Sequence, residues 1–320
     1  MRLLLFLILS AVFSLFCKGQ DIESGPGYQV ILMNNPAISG SEGDGIMRLS
    51  YLNYYPGNNY NLHSVYFSYD SYAPSLHGGI GVYLSDDYMG GIVNDLKGGV
   101  SYAYFMQAGK DLFINAGLSA SVFHRGFNFN GAILPDQIDP LGGVLFPTVD
   151  VMTNSGKAVF DISAGFLFIT GKLIGGFSVN HLAEPDLSEN KSSDERLKRK
   201  LLLHVTYDIN LNKTNNLRMR PLGYLIVQGG FISAGAGTVF ESNYLSVNAL
   251  FLDDDWNNIN MQTGFSVKTG RISIYYNYRF NIASGNDMMP LSLIHQTGLA
   301  FSLNNVDKRK TIKTINFPKL

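Results

Sequence analysis

Arg271–Phe280 reads RISIYYNYRF. Every second residue, Ile272, Ile274, Tyr276, Tyr278 and Phe280, falls on one face of an extended chain. Ser273, Tyr275, Asn277 and Arg279 fall on the other. A strand points successive side chains to opposite sides, so this period predicts one greasy face and one polar face. The pattern recurs. In 111–123, Leu112, Ile114, Ala116, Leu118 and Val122 alternate with Asn115, Gly117, Ser119 and Ser121. In 157–168, Phe160, Ile162, Phe166 and Phe168 alternate with Asp161, Ser163 and Gly165. In 200–210, Leu201, Leu203, Val205, Tyr207 and Ile209 alternate with His204, Thr206, Asp208 and Asn210. Further strands are expected at 46–55, 61–71, 76–84, 98–106, 172–181, 221–228, 230–240, 243–251, 260–269 and 293–303. That makes about fourteen, with no helical period between them.

The polar faces are small and hydrophilic, mostly Gly, Ser, Asn and Thr, with Asp161, Lys268 and Arg279 among them. A soluble sandwich buries its apolar faces between two sheets and carries a more charged solvent face. Apolar-out, polar-in strands with aromatic ends instead fit a barrel in lipid. The expected fold is all-β, an antiparallel transmembrane outer-membrane β-barrel over residues 46–303. Lipid cannot satisfy an open sheet edge, so the barrel must close. An even strand count puts both termini on the periplasmic side. Connections 126–156, 182–199, 252–259 and 281–292 are long and would face outward; 108–110 and 170–171 are short and would face inward. The connection 211–220 and the tight Gly229-Gly230 break that asymmetry.

Composition narrows the class. Only 15% of residues are charged, 12% are aromatic, and the net charge is −1. Mean hydropathy is +0.06, too polar for a bundle of membrane helices. The charge balance gives no support to a nucleic-acid partner. Residues 1–20, MRLLLFLILSAVFSLFCKGQ, read as a secretory signal, with Arg2 before an apolar run and cleavage expected after Gly19 or Gln20. Cys17, the one cysteine, lies in that segment, and Leu15-Phe16 is a poor lead-in for a lipid anchor there. The mature chain then has no disulfide, thiol nucleophile or thiolate metal site. Residues 21–45 hold Gly25-Pro26-Gly27, Asn35-Pro36-Ala37 and Gly40, and are expected to run extended, with turns, as a periplasmic segment. Residues 304–320 form a periplasmic tail with Lys308, Arg309, Lys310 and Lys313 beside Ile312, Ile315, Phe317 and Leu320.

Catalytic chemistry finds no foothold. The six histidines are scattered, and none makes an HxH or HxxxH pair. Asp253-Asp254-Asp255 lacks EF-hand spacing and reads as a solvated acidic turn. Gly235-x-Gly237 has no following helix, so it is a glycine pair in a strand. Ser188–Lys200 mixes charge signs and reads as a solvated loop. No nucleophile, base and acid group together. The expectation is a non-enzyme with no cofactor and no metal.

Several stretches carry a resemblance in order along the chain. They are Gln20-Asp21 with Tyr28, Asn35-Pro36-Ala37 and Gly40; Gly78-Gly79-Ile80-Gly81 with Ser101-Tyr102-Ala103-Tyr104; and Ser178-Val179-Asn180-His181-Leu182 with Pro185. Tyr276–Phe280 with His295-Gln296, and the ending Asn316–Leu320, complete them. Together they resemble the PorP/SprF family of type IX secretion in Bacteroidetes. The acidic residues of that family's YxYD and HE pair are Arg279 and Gln296 here, and the ending lacks the family's Cys. The resemblance implies an outer-membrane component that acts as a partner or anchor for protein secretion and surface adhesin display, gliding-related in gliding species. It implies as partners other type IX secretion components, periplasmic peptidoglycan-associated proteins, secreted cargo or adhesin, and outer-membrane lipid. Asn35, Pro36, Ala37, Lys308, Arg309, Lys310 and Phe317 are the candidate partner contacts. The alternative is a FadL-like or porin-like outer-membrane channel for small solutes, which about fourteen strands and an N-terminal segment able to fold into the lumen would suit, and which the Asn35-Pro36-Ala37 tripeptide does not exclude.

Overall fold

The structure, a computed structural model, describes residues 21, 30–57, 62–130, 132–139, 143–144, 147–148, 154–188, 195–212, 216–254, 258–283 and 292–306. Its strands are β1 (Ile46–Tyr54), β2 (Leu62–Ala73), β3 (Gly78–Met89), β4 (Val93–Gln107) and β5 (Leu112–Phe127). The small hairpin β6 (Ile138–Asp139) and β7 (Gly143–Val144) follows, then β8 (Ser155–Thr170), β9 (Leu173–Asn180), β10 (Lys200–Tyr207) and β11 (Ile209–Asn212). The last are β12 (Leu217–Gln228), β13 (Phe231–Glu241), β14 (Leu245–Asp254), β15 (Asn258–Thr269), β16 (Ile272–Ala283) and β17 (Ser292–Ser302). Apart from β6 and β7, they form one antiparallel sheet. Here β10 and β11 lie end to end along β12, so the sheet has 14 staves. It closes where β1 pairs β17, from Ile46 opposite Ser302 to Tyr54 opposite Ile294. Among the described residues no helix is long and apolar enough to cross a membrane.

The barrel is inside out relative to a soluble domain. Leu118 is 61% exposed and Phe160 57%, while Asp161 is 0% and Ser163 2%. These lie on opposite faces of the paired strands β5 and β8, as the alternation predicts. In the opening stretch, Tyr275, Asn277 and Arg279 are buried inward, and Ile272 and Ile274 are exposed. The outward face also carries aromatic and histidine side chains toward the long-loop end. His63 stacks on Tyr88 at 4.8 Å between ring centroids, and Tyr276 Oη meets His295 Nδ1 at 2.6 Å. Amphipathic rings at that level suit the headgroup region.

Strand ends differ from the expected ones for a physical reason. The expected gap between 84 and 98 shrinks to a turn, because β3 and β4 run on to Met89 and from Val93. Their extensions are polar on both faces. Asn94 donates to Asp86 at 2.7 Å, while Asp95 and Lys97 are buried inward. Alternation fades there, yet the ladder continues and turns through Gly90 and Gly91, both at positive φ. Likewise β12 begins at Leu217, so the expected connection 211–220 is short. Asp253 and Asp254 lie in β14, paired with Ile259 and Asn258, rather than in a loop. The strand ends that the remaining long connections join, Phe127 and Ser155, Asn180 and Lys200, and Ala283 and Ser292, share one end of the barrel with the tight Gly229-Gly230 turn.

Asp44 clasps the other end. It accepts from Ser302 Oγ at 2.6 Å, and from the backbone amides of Asn304 at 2.9 Å, Asn305 at 2.8 Å and Gly45 at 2.9 Å. The carboxylate therefore joins the entrance of β1 to the exit of β17.

Two tests follow from this frame. Phe166, Phe177 and Leu203 lie side by side on the outward face of β8, β9 and β10. Phe166→Arg or Leu203→Arg is expected to cost about 2–4 kcal/mol in urea unfolding from lipid vesicles, with Phe166→Leu near wild type. The second test is Asp44. Burial opposes its ionisation, but the hydrogen bonds from Ser302, Asn305, Gly45 and Asn304 outweigh it and hold its carboxyl below the usual range. A depressed folded value means stabilisation above the unfolded value of about 3.9, lost as pH falls through the folded one. Asp44→Asn should lower stability at pH 7 by about 1–3 kcal/mol, and its gap from wild type should narrow on acidification below about pH 4. A constant gap would mean that the charge is irrelevant.

Candidate functional site: a segment threaded through the barrel

Residues 30–45 do not run extended outside the barrel. Val30, Ile31, Leu32, Ala37 and Ile38 are buried in one cluster with inward residues of the wall, including Tyr66, Tyr83, Leu167, Ile169 and Leu202. The apolar run Val30–Met33 forms the short helix α1 (Ile31–Asn34), and Pro36–Ile38 forms a 3-10 turn. Proline suits the first position of such a turn, since its fixed φ is already right and no donor is lost. The Asn35 side chain caps it, accepting from the Ala37 amide at 3.0 Å.

Polar lumen residues hold this plug. Ser178 Oγ and Asn180 Nδ2 donate to the Asn34 carbonyl at 2.6 and 3.2 Å. Asn35 Nδ2 donates to the Phe166 carbonyl at 3.3 Å, and Asn115 Nδ2 donates to the Ala37 carbonyl at 3.4 Å. Ser39 and Ser101 hydroxyls meet at 2.7 Å, and the Gly40 amide donates to Asp70 at 2.7 Å. Arg48 pairs with both Asp70 and Glu42. Toward the long-loop end, His181 lies between two carboxylates, Nδ1 to Asp161 at 2.7 Å and Nε2 to Asp21 at 2.6 Å. The described contacts of this region thus span from Asp21 near the long-loop end to Asp44 at the short-turn end.

Glycines make the space. A Cβ on Gly117 would sit 2.2 Å from the Ala37 nitrogen, and one on Gly165 would sit 2.1 Å from Asn35 Oδ1. A Cβ on Gly79 would sit 1.9 Å from the Ser39 carbonyl oxygen. Gly40, at φ +66, approaches the same strand, where a Cβ would be 2.6 Å from the Gly79 Cα.

These contacts unite the sequence motifs. Asp21, Asn35-Pro36-Ala37 and Gly40 meet Gly79, Ser101, Ser178 and His181 in one lumenal network. The sequence reading placed Asn35, Pro36 and Ala37 on the periplasmic side as partner contacts; all are buried inside the wall, Asn35 and Ala37 at 0% exposure. Lys308, Arg309, Lys310 and Phe317 lie outside the described residues. The sequence offered a lumenal N-terminal segment only under the channel alternative, and the contacts of the plug escaped it, since the burial of Val30–Leu32 has no strand period. Among the described residues no group of three or more His, Cys, Asp and Glu is placed to hold a metal. The arrangement seats and positions a peptide segment.

Gly165→Val should unseat Asn35. A reporter Ser39→Cys is expected to be protected from maleimide in an otherwise wild-type purified barrel and to label at least tenfold faster beside Gly165→Val. Equal protection in both would show that the glycine seam does not hold the plug.

Among solved structures, the fold is similar to a monoaromatic hydrocarbon channel, a TodX deletion mutant, at TM-score 0.52 and 10% identity, covering 88% of this chain and 95% of that one. It is also similar to the Ralstonia pickettii toluene transporter TbuX, at 0.51 and 11%, covering 89% and 94%. The Pseudomonas putida toluene transporter TodX matches at 0.50 and 10%, covering 87% and 94%. At such identities the likeness shows the outer-membrane barrel fold alone. No curated protein matches the sequence. The model of one family, described as type IX secretion system membrane protein PorP/SprF, matches residues 19–294. That span takes in the plug, the glycine seam and nearly every stave, and the chain belongs to the PorP/SprF family.

Proposed function

We propose that this barrel is an outer-membrane docking partner of type IX secretion, anchoring secreted cargo or a surface adhesin, and serving gliding in gliding species. The observation that carries the reading is the shared root of plug and tail. Asp44 ends the plug and binds Ser302, Asn304 and Asn305, from which the basic tail departs. A partner that grips the tail therefore pulls on the residue that anchors the plug. The barrel's strands are used up satisfying one another's backbone groups, so partner contacts fall to loops and termini. Lys308, Arg309, Lys310 and Phe317 are the proposed contacts with an acidic, partly apolar periplasmic protein, such as a peptidoglycan-associated one. Asn35, Pro36 and Ala37 take part indirectly, by holding the plug in register. The long loops would face the cell exterior and the cargo. In this reading the network serves no catalytic step.

Deleting Asp307–Leu320 tests it. The barrel should still assemble, seen as heat-modifiable migration on a gel, while cargo display on intact cells falls at least tenfold. Normal display from a normally assembled barrel would overturn the docking role.

A further inference from the structure

The wall from β15 through β16 and β17 to β1 faces the lumen with Gln262, Arg279, Ile294 and Tyr54 in one row. Arg279 is only 8% exposed. Its Nη2 donates to Gln262 Oε1 at 3.1 Å, and its Nε is buried with no partner. Among the described residues no carboxylate lies within ion-pair reach of it. Three other lumenal guanidinium groups are paired with carboxylates: Arg48 faces Asp70 and Glu42, Arg125 faces Asp95, and Arg220 faces Asp208 and Glu241. A buried guanidinium without an anion is costly, so this position favours any bound species that supplies one.

The surroundings specify that species. Gln262 spends its oxygen on Arg279, and Asn260 accepts from Asn281 Nδ2 at 2.9 Å. Both thus turn amide NH2 groups, rather than oxygens, toward further partners. A planar guanidinium with flanking NH2 donors matches the two oxygens of a carboxylate. On the other side, Ile294 and Leu52 form an apolar cluster with Leu293, against which Tyr54 packs. One end of the site is cationic and donor-rich, and the other is apolar.

We propose that this wall binds a small amphiphilic carboxylate, its head on Arg279, Gln262 and Asn260 and its apolar tail along Ile294, Leu52 and Tyr54. The site lies apart from the Asn35–Ala37 seat on β5 and β8, and it does not depend on the docking role.

The test uses the purified full-length barrel in a neutral detergent, with decanoate as probe and empty micelles as blank. Wild-type protein should bind decanoate saturably beyond micelle partitioning. Decanol and inorganic phosphate should fail to compete, since one lacks the charge and the other the shape and tail. Arg279→Gln should weaken binding at least tenfold, and Arg279→Lys should fall between. A diazirine-bearing decanoate should cross-link to β1, β15, β16 or β17 in the wild-type protein, which decides the matter even where Arg279→Gln fails to fold. No saturable binding, equal competition by decanol or phosphate, unchanged affinity in Arg279→Gln, or cross-links confined to other strands would each overturn the proposal.

Discussion

The constraint on which everything here depends is that hydrocarbon offers no hydrogen bonds. A backbone amide or carbonyl left unpaired in lipid costs several kcal/mol. The sheet therefore has to close, and the β1–β17 ladder does this over the full length of β1. Closure then sorts the side chains. Leu118, Phe160 and Phe251 face outward without penalty, and Ser50, Ser68, Asp161 and Asn277 turn inward. The same reversal that makes the outside stable makes the inside a problem. A narrow polar lumen must satisfy its own hydroxyls, amides and charges.

The chain solves much of that problem with itself. The plug brings donors and acceptors to the wall in reciprocal pairs, such as Ser178 on the Asn34 carbonyl and Asp70 on the Gly40 amide. Close approach requires that the wall give up side chains, which is why Gly79, Gly117 and Gly165 lie where the plug touches. Charges are handled the same way, with His181 between Asp161 and Asp21 and Arg48 between Asp70 and Glu42. The far wall uses side-chain amides instead. Asn248, Asn277, Gln296 and Ser50 form a chain of hydrogen bonds across β14, β16, β17 and β1. That wall is tied to itself rather than to the plug, and there a lone guanidinium remains.

Strand number, facing and barrel class were legible because period-two alternation is a direct print of lipid on one side and polar lumen on the other. RISIYYNYRF shows the period, and its recurrence along the chain carries the inference. Strand ends were less legible. Beyond the hydrocarbon both faces turn polar, so Asp86, Asp87, Asn94 and Asp95 read as a loop although they pair across β3 and β4. The clasp at Asp44 was invisible, since Ser302, Asn304 and Asn305 lie more than 250 residues away in sequence.

A subtler trace of the plug was present all along. In β8, Phe166, Leu167, Phe168 and Ile169 break the alternation, with apolar residues on both faces. Phe166 and Phe168 face out, but Leu167 and Ile169 face in and are almost fully buried. A water-filled lumen gives no reason for an inward leucine beside an inward isoleucine. They need an apolar neighbour inside, and they pack in one cluster with Val30, Ile31, Leu32 and Ile38. Inward apolar residues at Leu202, Leu222, Ile226, Leu250 and Leu252 extend the same cluster around the wall. Runs that are apolar on both faces therefore mark where the interior is filled by protein. Together with a non-strand apolar stretch such as Val30–Met33 ahead of the first strand, they are the readable sign that the chain occupies its own lumen.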